Sequence, residues 1–292
     1  MHIDTAFRTD VLLKHYSTFG IGGAAKYFIE ITDTHQAQEA LSFCYRKNLP
    51  FMILGKGSNT LFDDRGYEGV IILNKIQSIA WQDSQVTVGG GYSFSLLGSQ
   101  SAKKELSGLE FAAGIPGTVG GAIFMNAGAN AQETCTTLLK VEYIDHKGCY
   151  RVYDKKELTF SYRFSSFQAW QGCIVGATFE LSVKDGVRVK QKEMIDYRMK
   201  TQPYKSPSIG CIFRNPDKSV SAGALIEKCG LKGMRVGGAF VSEMHANFIV
   251  NLEEATAGDV LKLIALVKKV VMEKTGKVLE IEVKYIPYES IK

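Results

Sequence analysis

The sequence has no run of about 18 apolar residues, the least a membrane-crossing helix needs, so no transmembrane segment and no membrane partner are expected. Its first residues include Asp4 and Asp10 and no long apolar stretch, which argues against a secretory signal peptide. Basic runs stop at two residues, as in Lys103-Lys104 and Lys268-Lys269. With a net charge of only +5 on 292 residues, the chain suits an anionic small ligand and does not call for nucleic acid. The six cysteines, at positions 44, 135, 149, 173, 211 and 229, form no Cys-x-x-Cys pair and no metal-ligand spacing, so no metal site is expected. Without a secretory signal they read as reduced thiols, and the expected location is cytoplasmic. Internal repeats and low-complexity segments are also missing.

What is present is an ordinary globular composition, 45% apolar and 22% charged, on a length that fits one large domain or two ordinary ones. Strand-like runs fall at 26–31, 50–54, 69–73, 79–88, 139–145 and 173–182. A helix is expected at 34–47, with Ala37, Ala40, Leu41 and Cys44 on one face. Helices look minor before Val187. Beyond it the pattern changes: a polar helix at 189–199, a short one at 222–229 capped by Ser221 and stopped by Gly230, and one at 260–275. Thr256 and Asp259 form a capping-box pattern for the last, its apolar stripe is Val260, Leu263, Ile264, Val267 and Val271, and Gly276 ends it. The pattern predicts an α+β protein with a boundary near 183–188, hence domains 1–185 and 186–292, the first split near residue 74.

Two glycine-rich stretches stand out: Gly55, Lys56, Gly57, Ser58 and Asn59 after an apolar strand, and the run from Ala112 to Ala122. Glycine lets main-chain N–H groups approach an anion with no side chain in the way, and two such loops fit a dinucleotide with a pyrophosphate at its middle. Gly114, Gly117, Gly120 and Gly121 lie within eight residues among Ile115, Pro116 and Val119, too apolar for a plain surface turn. Gly20, Gly22 and Ala25 match Gly-x-Gly-x-x-Ala, but a strand pattern follows where a Rossmann helix is required. The Gly55-Lys56 pair lacks Walker spacing, so a nucleoside triphosphatase is not expected.

In order along the chain, several blocks resemble one family: Thr18-Phe19 with Ile21-Gly22-Gly23, Leu54 to Asn59, Gly108 to Gly128, Tyr162-Arg163, Gly210 to Pro216, Ser221 to Gly233, His245 to Phe248, and Leu279 to Val283. Together they resemble the UDP-N-acetylenolpyruvoylglucosamine reductases in their compact form. The resemblance implies a vanillyl-alcohol-oxidase-type (PCMH-type) FAD-binding domain followed by an α+β substrate-binding domain. It implies tightly bound FAD, NADPH as reductant, UDP-N-acetylglucosamine enolpyruvate as substrate and, as read here, a monomer. In that chemistry a hydride from reduced FAD N5 reaches the terminal carbon of the enolpyruvyl ether, and a proton reaches its neighbour.

The same resemblance distributes roles. Arg163 sits at the family's catalytic arginine, where a guanidinium can hold a carboxylate with two parallel bonds. Cys211 stands at the proton-donor position, where many relatives carry serine; a thiol, with a reference pKa of about 8.5, releases its proton more readily than an alcohol. Glu282 matches the catalytic glutamate, although Glu280 shares its strand face by spacing and the two are indistinguishable without the motif. Gly55, Lys56, Gly57, Ser58, Asn59, Gly114, Ile115, Pro116, Gly117, Thr118, Gly120, Gly121, Ala122, Asn126, Ala127 and Val175 are the expected cofactor contacts. Lys200, Arg214, Asn215 and His245 are the expected substrate contacts. Gly20 and Asn130-Ala131 depart from common family residues, respectively arginine and Tyr-Gly. Two other readings stand beside this one: a flavin oxidase or dehydrogenase of the same fold with another substrate, and a flavin- or nucleotide-binding module without catalysis.

Overall fold

The structure, a computed structural model, describes residues 7–217 and 219–289. Packing divides the chain into two units. The first holds the described residues up to Arg8, Tyr27–Gly55 and Gly69–Arg198; the second holds Thr9–Lys26, Lys56–Glu68 and the chain from Met199 onward. The expected boundary at 185/186 differs from this division, and the helix at that place explains why. Val187 N donates to Glu105 at 3.0 Å, Gln191 Nε2 to Gly98 O at 2.7 Å, and Lys190 pairs with Glu110 at 3.7 Å, so most of the helix belongs to the first unit. Two N-terminal segments meanwhile join the second.

Among the described residues there are six α-helices: α1 Thr34–Arg46, α2 Phe94–Lys103, α3 Val119–Phe124, α4 Val187–Thr201, α5 Ala222–Lys228 and α6 Ala257–Thr275. None is long and apolar enough to cross a membrane. In the first unit, an antiparallel sheet runs in the order Tyr150–Asp154, Leu138–Asp145, Gly172–Glu180, Gln85–Gly89, Ile79–Gln82. Phe51–Leu54 runs parallel to Gly66–Asn74 beside it in sequence, and α1 buries Ala37, Ala40, Leu41 and Cys44 as its spacing predicts. The expected single strand at 79–88 is instead a hairpin, turned at Asp83 with φ of 51°. The expected strand 173–182 ends at Glu180, and Ser182–Val183 pairs with Leu106–Ser107.

The expectation that helices are minor before Val187 fails at α2 and α3. The buried face of α2 is Phe94, Leu97, Gly98, Ser101 and Ala102, and a Cβ on Gly98 would lie 2.6 Å from Leu109 O. Close packing there selects small residues, which erases the apolar period. Ser93 caps this helix and Thr118 caps α3.

In the second unit the sheet order is Ser208–Cys211, Phe248–Asn251, Ala239–Val241, Arg235–Val236. Helices α5 and α6 contribute to its core, α6 through Val260, Leu263, Ile264, Val267 and Val271. The capping box of Thr256 and Asp259 is formed, and Gly276 closes α6 with φ of 67°. Residues 279–283 are not a named strand; Ile281 makes an isolated antiparallel bridge with Phe213 before the strand Lys284–Ile286 pairs in parallel with Thr60–Phe62.

Asn130 and Ala131 turn the short hairpin between Gly128–Ala129 and Gln132–Glu133. Both are left-handed, with φ of 53° and 59°, as a two-residue type I′ turn demands. Asparagine tolerates that region; alanine pays roughly 1–2 kcal/mol for its Cβ. Replacing Ala131 by glycine removes that strain but makes the unfolded chain freer by about 0.4–1 kcal/mol. Ala131→Gly is therefore predicted to stabilise the protein by about 0.5–1 kcal/mol. Denaturant titration checks this; a loss of stability would mean the turn is not left-handed at Ala131.

Candidate active site

The first unit brings the two glycine stretches into contact. A Cβ on Gly55 would lie 2.6 Å from Thr118 Oγ1, so the main chain at the end of strand Phe51–Leu54 rests directly on the second stretch. Thr118 Oγ1 in turn accepts from Gly121 N at 3.2 Å. The donors of the second stretch are mostly spent inside the protein: Gly114 N on Ser95 Oγ, Ile115 N on Ala112 O, Val119 N on Tyr92 O and Gly120 N on Gly90 O. Among the described residues, the N–H groups of Gly117 and Thr118 have no acceptor. Gly120 is a packing glycine, its position for a Cβ only 3.1 Å from Gly90 O and 3.3 Å from Ile174 O.

In the second unit, Gly57 has φ of 62°, and a Cβ there would strike Tyr16 O at 2.2 Å. The amides of Gly57, Ser58 and Asn59 have no acceptor among the described residues. Successive free amides of this kind form an anion-binding concavity. The donor set in each unit thus fits an anionic group such as a cofactor pyrophosphate.

Several expected cofactor residues also make contacts and hydrogen bonds within the protein. Val175 is buried among Ile29, Ile31, Ile72 and Ile144, and its carbonyl accepts from Gly90 N at 2.7 Å. Ala127 donates to Ala122 O and accepts from Thr134. Asn126 is fully buried with its side chain saturated, donating to Glu133 Oε2 and Ser161 O at 2.9 Å each and accepting from Cys135 N.

Arg163 lies in the first unit, at the tip of the hairpin joining Phe160–Ser161 to Phe164–Ser165. Its φ is 57°, an uncommon conformation for a side-chain-bearing residue. The guanidinium donates to Gly128 O at 3.0 Å and lies 5.0 Å from the centre of the Tyr162 ring.

Cys211 and Glu282 lie in the second unit, on segments joined at the Phe213–Ile281 bridge. Glu282 N donates to Ile212 O at 2.8 Å and Arg214 N to Glu280 O at 2.9 Å. Cys211 ends its strand half-exposed. Asn59 Nδ2 reaches Glu282 O at 3.4 Å, tying the first glycine loop to this pair of segments. Arg214 has a buried Nε with no partner among the described residues, and Lys284 is held below its ordinary pKa by burial and by the Arg214 charge. Like charges close enough to disfavour one another are relieved by an anion.

The other expected substrate residues differ in setting. His245 is half-buried, and its pKa is lowered chiefly by that burial. Nδ1 accepts from Asn247 N at 3.2 Å, leaving Nε2 as the donor of the neutral ring. Asn215 is exposed and caps α5 by accepting from Ala222 N at 3.0 Å. Lys200 is exposed near the end of α4.

Three residues escape a reading of the sequence. Lys284 looks like part of a solvated Glu-x-Glu-x-Lys face. Asn247 brackets Phe213, accepting from its N–H at 2.9 Å and donating to its carbonyl at 2.8 Å. Gln168 binds the main chain of Phe124 and Arg163. For Asn247 alone a signal existed, an amide set between Ala246 and Phe248 in an apolar run.

Comparison with known proteins assigns both parts of the chain to known domains. Residues 25–152 match an FAD binding domain, and residues 202–286 match the C-terminal domain of UDP-N-acetylenolpyruvoylglucosamine reductase. The chain is an FAD-dependent oxidoreductase of α+β fold, as expected. The reductase of Protochlamydia amoebophila is 52% identical over 99% of this chain and 97% of its own length, and that of Chlamydia muridarum is 48% identical over 96% and 94%. The crystal structure of the Thermus caldophilus reductase superposes with a TM-score of 0.82 at 37% identity, covering 96% of this chain and all of that one. The chain belongs to the UDP-N-acetylenolpyruvoylglucosamine reductase family.

The contact at Gly55 makes a direct prediction. A valine there must push Thr118 aside and fill the cradle, so Gly55→Val is expected to weaken FAD retention at least tenfold. Visible absorbance after ultrafiltration reads this out; full yellow colour in the variant would place the cofactor elsewhere.

Proposed function

We propose that this chain reduces the enolpyruvyl ether of UDP-N-acetylglucosamine enolpyruvate to UDP-N-acetylmuramate, with NADPH as the source of reducing equivalents. Bound FAD supplies the hydride that adds to the terminal carbon of the double bond. The main-chain amides of Gly57 to Asn59 would hold its pyrophosphate. Arg163 grips the enolpyruvyl carboxylate and stabilises the charge that grows there. Cys211 delivers the proton to the carbon next to that carboxylate. Glu282 steadies the same intermediate. Arg214 and Lys284 take the substrate diphosphate, with neutral His245 as a further donor; Asn215 and Lys200 stand at the edge of this set.

The observation that carries the reading is the Phe213–Ile281 bridge, which sets the segments bearing Cys211 and Glu282 side by side. Family membership supports the substrate and the reductant. Such intermediates occur in the cytoplasm, and a monomer contains every residue named, so both belong to the same reading.

Stopped-flow separation of the two half-reactions tests it. Cys211→Ala is expected to leave flavin reduction by NADPH unchanged and to slow reoxidation by the enolpyruvyl substrate about 10²- to 10⁴-fold. Arg163→Lys keeps a charge but loses the two-pronged grip, and is expected to slow the same step. If Cys211→Ala reoxidises at the normal rate, the thiol is not the acid; if Arg163→Lys does so, the paired hydrogen bonds are not needed.

A further inference from the structure

Arg163 is held in its left-handed turn by a set of side chains that have no place in the reaction itself. The two N–H groups of the Gln168 carboxamide donate to Arg163 O and Phe124 O, each at 2.9 Å. Ser165 Oγ donates to the same Phe124 carbonyl at 2.7 Å. Asn126 Nδ2 reaches Ser161 O, on the far side of the turn, at 2.9 Å. The guanidinium meanwhile donates to Gly128 O. The segment 124–128 therefore grips the hairpin before, at and after Arg163, and its own shape is fixed because Asn126 is anchored to Glu133 and Cys135.

A left-handed non-glycine residue costs on the order of 1–3 kcal/mol and persists only where its surroundings over-determine it. Gln168 is the part of those surroundings that binds the strained residue's own carbonyl. A relaxed turn would swing the side chain away from the direction the hairpin gives it.

We propose that Gln168 is a positioning residue for Arg163, a carboxamide clamp that keeps the turn left-handed and so aims the guanidinium at the carboxylate of the substrate. This rests on the reading that Arg163 binds that carboxylate. The Gln168 carboxamide is spent on Arg163 O and Phe124 O, so it acts through the arginine.

A double-mutant cycle on the FAD-loaded protein tests it. Gln168→Leu keeps the volume and removes both donors. It is expected to leave flavin reduction by NADPH unchanged and to slow reoxidation by the enolpyruvyl substrate on the order of 10- to 100-fold, the usual cost of a misplaced group. In an Arg163→Ala background the same change is expected to slow reoxidation by less than about twofold. Calorimetric binding of the substrate to the oxidised protein gives a second readout: Gln168→Leu weakens it, and the double variant binds no worse than Arg163→Ala. Loss of both half-reactions together, or a full-sized Gln168→Leu effect in the Arg163→Ala background, overturns the clamp and leaves a merely structural glutamine. If Arg163→Ala itself reoxidises normally, the fault lies in the role given to the arginine. Should Gln168→Leu lower the melting temperature, Ser165→Ala removes one tether of the same set and is read through the same cycle.

Discussion

The functional segments of this chain run through main chain that neither helix nor sheet can hold, and carboxamide side chains do the holding. Asn247 pairs with both main-chain groups of Phe213. Asn126 and Gln168 donate to main-chain carbonyls of the hairpin that carries Arg163. Asn74 spans Ile174 O and Ile76 N in the first unit, and Asn251 spans Phe19 O and Ala255 N in the second. A carboxamide offers a donor and an acceptor in one plane, like a peptide group, so it completes a ladder where the chain has left it. Each such bond adds only about 1 kcal/mol, but a buried main-chain group left without a partner costs about 1–3 kcal/mol. Irregular loops can therefore be buried and fixed only because these amides are present.

What the carboxamides hold is strained. Among the described residues, Asn126, Asn130, Ala131 and Arg163 all have positive φ and lie on the segments that meet around Gly128. Strain of this kind is useful when a side chain must be presented from a tight turn rather than from a regular element. The glycine stretches solve a different problem. At Gly55 and Gly57 the requirement is space, since any Cβ would strike Thr118 or Tyr16. At Gly120 the same composition serves helix-on-strand packing and presents nothing.

That split explains what could be read in advance. Helices α1 and α6 were legible because their buried faces are built from residues large enough to show a period, and α6 also carries its cap and stop signals in the chain. The two glycine stretches are legible as places where main chain must come close to something, and Gly55 packs directly on Thr118. Helix α2 was not, because its buried face is partly glycine and serine. The hairpin at 79–89 is not legible because its turn, Asp83-Ser84, carries no glycine. Nothing in a single sequence separates Gln168 or Lys284 from surface polar residues, since their meaning comes from carbonyls and charges distant along the chain. Within the second glycine stretch, composition alone could not tell the amides spent on Gly90 and Tyr92 from those of Gly117 and Thr118.

The placement of Cys211 shows how little separates a half-exposed thiol from a buried one. Cys44 and Cys173 are buried, and burial pushes each thiol up to about 12, far from any role in proton transfer. Cys211 lies two residues after Ile209, which is buried, so an unbroken strand would turn both to the same face and into the core. The ladder is broken there: Ser208 is opposite Val250 and Cys211 opposite Phe248, one residue more on the first strand than on its partner. Gly210 takes up the extra residue with φ of 81°, a conformation that suits glycine and resists other residues. The bulge shifts the alternation by one, so Ile212 rather than Cys211 follows Ile209 inward, and the thiol is left half-exposed. The glycine in front of the cysteine thus decides which of two environments the sulfur occupies.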